Sequence, residues 1–176
     1  MNSAQRMDHL GTFVSASDKV LADIKRCIAR VQALSAQPFE TAQAGVGILQ
    51  ALRSETYEDL NQIQHEHLIL LAAHWLLAED VCSPSTEWHW NPRQTGDEQE
   101  PDLRGVQGAN TVVSAEVTTS ERPVGVIDSR MRKTLAKLAR TDGVKFYFVR
   151  TEAMRKRANT KIARAGWPIT VVMLTT

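Results

Sequence analysis

Two carboxylates in this 176-residue chain fall where a metal-dependent reaction would need them, Asp102 and Glu116. Glu116 lies in Thr111–Thr119 (TVVSAEVTT), a run rich in β-branched residues and the clearest strand of the sequence. Side chains alternate across a strand, so Val113, Ala115 and Val117 share one face while Ser114, Glu116 and Thr118 share the other. The first set reads as a core face. A carboxylate in the middle of such a segment carries a desolvation cost unless a cation or a donor meets it. Asp102 lies just upstream, on a short strand predicted over Pro101–Val106, which can pair with 111–119 through a turn at 107–110. Two carboxylates on adjacent strands can converge on one divalent ion. Mg²⁺ takes oxygen ligands, keeps several waters and often needs one or two carboxylates plus a substrate phosphate. An ion held that way orients a phosphodiester, activates a bound water and stabilises the leaving oxygen.

The elements that must position this pair follow from pattern. Residues 4–80 read as helical, with Val14, Val20, Leu21, Ile24, Ile28, Val31 and Leu34 recurring at helical steps. Ser35, Gln37 and Pro38 break the pattern, and a second helix is expected to begin near Pro38 or Thr41, weakened by Gly45 and Gly47. A stronger helix is expected from about Tyr57 to Asp80. Beyond Ser83 and Pro84 the character changes to a strand over Ser85–Trp90, a polar loop over Asn91–Glu100, and the two strands that carry Asp102 and Glu116. A helix follows over Val126–Thr141, then a strand over Lys145–Arg150, a basic helix over Thr151–Ala165 and a last strand over Ile169–Leu174. Short turns between the first three strands imply an antiparallel meander, and the later strand–helix alternation implies crossovers. The expected product is an α/β fold, a mixed sheet flanked by helices, with residues 1–56 as a helical extension and 57–176 as the main domain.

Pro101-Asp102, followed by Glu116-Val117-Thr118 on a buried strand and then by a helix, resembles the PD-(D/E)xK nuclease superfamily, which has the restriction endonuclease-like fold. The family core is a helix, a three-stranded meander, a helix and a further strand, the order read here from about residue 57 to 150. The resemblance implies a metal-dependent endonuclease acting on nucleic acid, DNA above all, with Mg²⁺ or Mn²⁺ as cofactor. It gives the metal to Asp102 and Glu116, with the Val117 carbonyl as a further ligand. One departure matters: the family's lysine two residues after the glutamate is Thr118 here, and threonine supplies no cation. Lys133, on the next helix with Arg130 and Lys137, is the expected replacement. The alternatives are activation of water by the metal alone, or a catalytically inactive module of the same fold that binds nucleic acid or a protein partner. Glu66, on the preceding helix, is expected as a third metal ligand by the same resemblance, or else as a carboxylate that simply reaches water.

Charge supports a polyanionic partner. Between Arg130 and Arg164 there are twelve Lys or Arg and two acids, a local charge of +10, against a net charge of +1 for the whole chain. Such a segment either grips phosphates or solubilises a helix surface. Arg130, Lys137, Arg155, Lys156, Arg157 and Lys161 are the residues expected to contact nucleic acid. The amphipathic segment 4–56 is expected to form a homodimer, to dock another subunit, or simply to pack onto the core. His65-Glu66-His67 lacks the two-turn spacing of a zinc helix and reads as solvated or capping. Trp88 and Trp90 read as core or interface aromatics before base-stacking ones. Cys27 and Cys82 read as buried small hydrophobes in a reducing compartment. Gly105 and Gly108 read as an ordinary turn. No run of eighteen apolar residues spans a membrane, and the first twenty-five residues lack a leader pattern, so a cytoplasmic location is expected.

Overall fold

The computed structural model describes residues 8–9, 13–91 and 99–174. In chain order the elements are β1 (Asp8–His9), α1 (Phe13–Ser35), α2 (Ala42–Ala78), β2 (Glu87–Trp90), β3 (Leu103–Gln107), β4 (Asn110–Val117), α3 (Val126–Leu138), β5 (Val144–Val149), α4 (Glu152–Ala165) and β6 (Ile169–Met173). The strands lie in sequence order in one sheet. From β1 to β4 every pairing is antiparallel; β4, β5 and β6 are parallel. Tight turns suffice for the first part, whereas each parallel pair needs a crossover, supplied by α3 and α4. The chain is therefore an α/β protein with a mixed sheet and helices on both faces, as the strand–helix order implied.

Two apolar layers hold it. On one face Val113, Ala115 and Val117 of β4 and Phe146 and Phe148 of β5 pack with Leu68, Ile69, Ala72 and Leu76 of α2. On the other, Tyr147 and Val149 of β5 pack with Met131, Leu135 and Leu138 of α3 and Met154, Ala158 and Ile162 of α4. Burial on both faces explains why β5 (VKFYFV) reads as a near-continuous apolar run after Lys145. Trp88 and Trp90 belong to the first layer, as do Phe13 and Trp75, and are core aromatics. Cys27 and Cys82 are buried free thiols.

Three local expectations are corrected. The two helices expected after Pro38 are one, the 37-residue α2, about 55 Å long at 1.5 Å per residue. Thr41 caps it by accepting from the Ala44 amide at 3.2 Å. The helix runs unbroken through Thr56, whose Oγ1 donates to the Leu52 carbonyl at 2.6 Å and so is satisfied within it. Asp8–His9, expected as helix, pairs with His89 and Trp90 at the sheet edge; the rest of the expected helix over 4–12 and the loop over 92–98 lie outside the described residues. Gly105 is not in the turn but inside β3, where the register shifts. A Cβ there would come within 2.7 Å of Val113 Cγ1 and 2.9 Å of Thr86 Cγ2, so glycine lets three strands pack closely. Among the described residues no helix is long and apolar enough to cross a membrane.

Candidate active site

Asp102 stands at the entry to β3, where the Asn91 amide donates to its carbonyl at 2.8 Å. Its side chain reaches across to β4, and Oδ2 accepts from the Val117 amide at 2.8 Å. That bond ties the carboxylate to the residue immediately after Glu116, and both acids line one cleft. The pairing of β3 with β4 is what brings them together, since Leu103 opposes Ala115 in the register.

Four further side chains complete the site. His65 of α2 places Nε2 3.3 Å from Asp102 Oδ2. Lys137 of α3 places Nζ 2.5 Å from Glu116 Oε1 and donates to the Glu100 carbonyl at 2.9 Å. Tyr147 of β5 sits directly opposite Glu116 in the parallel register, and its hydroxyl meets the Thr118 side chain. Together His65, Asp102, Glu116, Thr118, Arg130 and Tyr147 line a cleft of about 200 Å³ at the carboxyl end of β4.

Electrostatics divide the two carboxylates. Burial alone would raise Asp102, but His65, the Val117 amide and Lys137 hold it below the usual carboxylate range. Glu116 is pushed well above that range by burial and then by the Asp102 charge, with Lys137 opposing both. The two like charges thus pull the proton affinities of the pair apart, Asp102 downward and Glu116 upward. Burial, against a smaller pull from Thr118, also pushes the Tyr147 phenol far up, so it remains a neutral hydrogen-bonding group.

Several expected site residues stand elsewhere. The lysine brought to Glu116 is Lys137, which reaches it from outside the cleft lining; the exposed Lys133 lies with Lys137 and Arg140 on a neighbouring depression and makes no ion pair with Glu116 among the described residues. Glu66 is not in the cleft. It is fully buried between α1 and α2, where Lys19 Nζ donates to Oε2 at 2.6 Å and Gln62 Nε2 donates to Oε1 at 2.5 Å. No group of three or more His, Cys, Asp or Glu side chains is placed to share an ion among the described residues. Of the expected phosphate contacts, Arg130 is exposed on the cleft rim. Arg155 and Lys156 are engaged by Glu152, at 2.7 and 3.9 Å. Arg157 and Lys161 both close on Asp128, at 2.7 and 3.0 Å, and clamp α4 to α3.

His65 was not expected in the site, yet its position was readable. His65, Ile69, Ala72 and Leu76 recur at four- and three-residue steps on the buried stripe of α2, so His65 faces inward. Its Nδ1 has no hydrogen-bond partner among the described residues. Arg130, Thr134 and Lys137 follow the same spacing along α3, which is why one helix face supplies both the rim and the cation against Glu116. No protein-family model, curated protein or solved structure matches this chain.

Proposed function

We propose that this chain is a divalent-metal-dependent nuclease of the PD-(D/E)xK kind, hydrolysing phosphodiester bonds in nucleic acid, with DNA as the first substrate to test. The observation that carries the reading is the convergence of Asp102 and Glu116 from adjacent strands in one cleft, with a lysine cation at Glu116. The order α2, β2–β3–β4 meander, α3, parallel β5 agrees with the restriction endonuclease-like core and supports it.

The donor set fits Mg²⁺ or Mn²⁺. Both acids offer oxygen, and the raised Glu116 marks a site that a cation would relieve. A bound Mg²⁺ would supply charge stabilisation for a phosphoryl oxygen and a more acidic water. The chain's own residues do the rest. His65 and the Val117 amide fix the orientation of Asp102. Lys137 supplies the cation that Thr118 cannot, reaching the position from a neighbouring helix. Thr118 and Tyr147 form a neutral, hydrogen-bonded wall, and Arg130 offers a guanidinium to a flanking phosphate.

A second reading, a non-catalytic nucleic-acid-binding module, is favoured by Thr118 at the motif position. Cleavage of supercoiled plasmid, circular single-stranded DNA and structured RNA in Mn²⁺ and Mg²⁺ separates the two. The nuclease reading expects EDTA-sensitive cleavage of at least one substrate, lost in Glu116→Gln and Asp102→Asn variants whose circular dichroism matches wild type. Cleavage retained by Glu116→Gln overturns the site assignment. Salt-sensitive binding without cleavage, indifferent to both variants, establishes the second reading instead.

A further inference from the structure

On the side of α3 away from Glu116 lies a second concavity, formed where α3 meets the end of α4. Its volume is about 450 Å³, and it is lined by Arg132, Lys161, Arg164, Ala165 and Trp167. The local sequence explains its shape. Asp128, Arg132, Arg157, Lys161 and Arg164 occupy facing turns of the two helices, and α4 ends at Gly166 in the left-handed conformation, which brings the chain round to Trp167. Asp128 accepts from both Arg157 and Lys161 at one end of the groove. Toward the other end, Arg132 and Arg164 are exposed and make no ion pair among the described residues. Trp167 packs its inner side on the α3–α4 apolar layer and remains partly exposed at the groove.

We propose that this groove binds a nucleotide unit, its phosphate held by Arg132 and Arg164 and its base stacked on the Trp167 indole. The chemistry of the lining selects this ligand. Guanidinium groups offer planar paired donors that match phosphate oxygens, and they hold their charge at any working pH. An indole beside them adds a sequence-tolerant stacking surface, the combination that single-stranded nucleic-acid sites use. The volume falls within the range of small-ligand sites. Inorganic phosphate or an acidic peptide would satisfy the cations but leave the indole unused. The ligand reaches the groove either as a free nucleotide or as an unpaired stretch of a strand. Only the choice of a nucleic-acid ligand draws on the nuclease reading; the groove itself shares no residue with the cleft.

The test is quenching of tryptophan emission in the full chain by an eight-residue oligothymidylate, by thymidine monophosphate, by inorganic phosphate and by polyglutamate. Trp88 and Trp90 are buried, and Trp75 is partly buried against the opposite core layer, so the quenching that disappears in Trp167→Leu is the part that belongs to the groove. Expected are quenching by the oligonucleotide, its loss in Trp167→Leu, and affinity about tenfold lower in Arg132→Gln/Arg164→Gln, with a salt slope shallower by about 1–2. Competition by the monophosphate identifies a free nucleotide as ligand, and its failure to compete identifies a strand. Because both arginines are exposed, their replacement leaves the fold intact and keeps the test valid if Trp167→Leu does not fold. Oligonucleotide binding unchanged in the double arginine variant overturns the proposal, as does polyglutamate binding as tightly as the oligonucleotide. The same titration on Glu116→Gln is expected to match wild type, so failure in the cleft and failure in the groove are told apart.

Discussion

Glu66 and Glu116 are both buried glutamates on elements built for the core, but their surroundings differ in kind. Glu66 has each oxygen taken by a donor, Lys19 from α1 and Gln62 one turn back on α2. It does not line the Asp102–Glu116 cleft, and the acid near it, Asp23, is held on the same Lys19 ammonium at 3.0 Å. Glu116 has Lys137 on one oxygen, a second acid within reach, and a cleft in front of it. The difference teaches how to separate a structural buried charge from a chemical one. A structural carboxylate is neutralised and fully bonded within the fold. A carboxylate kept for chemistry is crowded by another acid, sits in space a ligand can enter, and has its protonation disturbed by both.

The comparison breaks first on stability. Glu66→Ala is expected to cost about 2–3 kcal/mol, because it opens a buried void and removes the acceptor that Lys19 and Gln62 share. The figure stays below that of a fully buried pair because Lys19 is half exposed. Glu116→Gln is expected to do the reverse as pH rises. A glutamate whose folded-state proton affinity is raised lowers stability above the ordinary carboxylate range, so removing the charge raises Tm near neutrality. That advantage disappears as pH falls to where glutamate is protonated in both folded and unfolded chains. Thermal melts of the two variants between pH 4 and pH 8 check both signs. A Glu66→Ala variant as stable as wild type would remove the distinction.

The next effect is on activity and concerns the cation. Lys137→Ala is expected to lower cleavage by about 10–100-fold, the range seen when a group supporting a metal ligand is removed. Lys133→Ala is expected to change it little. Equal losses from both, in initial-rate assays at saturating Mn²⁺, would mean that the lysines act by binding nucleic acid and not through Glu116.

Much of this arrangement was legible in the sequence, and the rest was hidden for a physical reason. Strand alternation placed Val113, Ala115 and Val117 in the core and Glu116 on the other face, because period-two burial is a local property. The strand–helix order after Ser83 likewise implied the mixed sheet, since parallel strands require crossovers. What escaped were contacts between distant segments. Nothing near Glu66 announces Lys19, which lies 47 residues away, so its role as a bonded core charge could not be told from that of a ligand. Lys133 and Lys137 share a helix face and a residue type, and only the way α3 lies on the sheet decides which one reaches Glu116. His65 was legible by its apolar companions at 69, 72 and 76, but the neighbouring His67 drew attention to metal spacing instead. The two expected helices join into α2 because Gly45 and Gly47 lower helix propensity without breaking the helix, which a weak local preference does not reveal.

The most direct measurement is calorimetric titration of Mn²⁺ and Mg²⁺ into wild type, Asp102→Asn, Glu116→Gln and Glu66→Gln, repeated at pH 6 and pH 8. One ion is expected per chain in wild type, with tighter binding at the higher pH because Glu116 must release its proton to bind. Binding is expected to vanish in the first two variants and to persist in the third. Binding lost in Glu66→Gln but retained in Glu116→Gln would contradict the account at its centre, and so would a folded wild type that takes up neither ion with or without an added oligonucleotide.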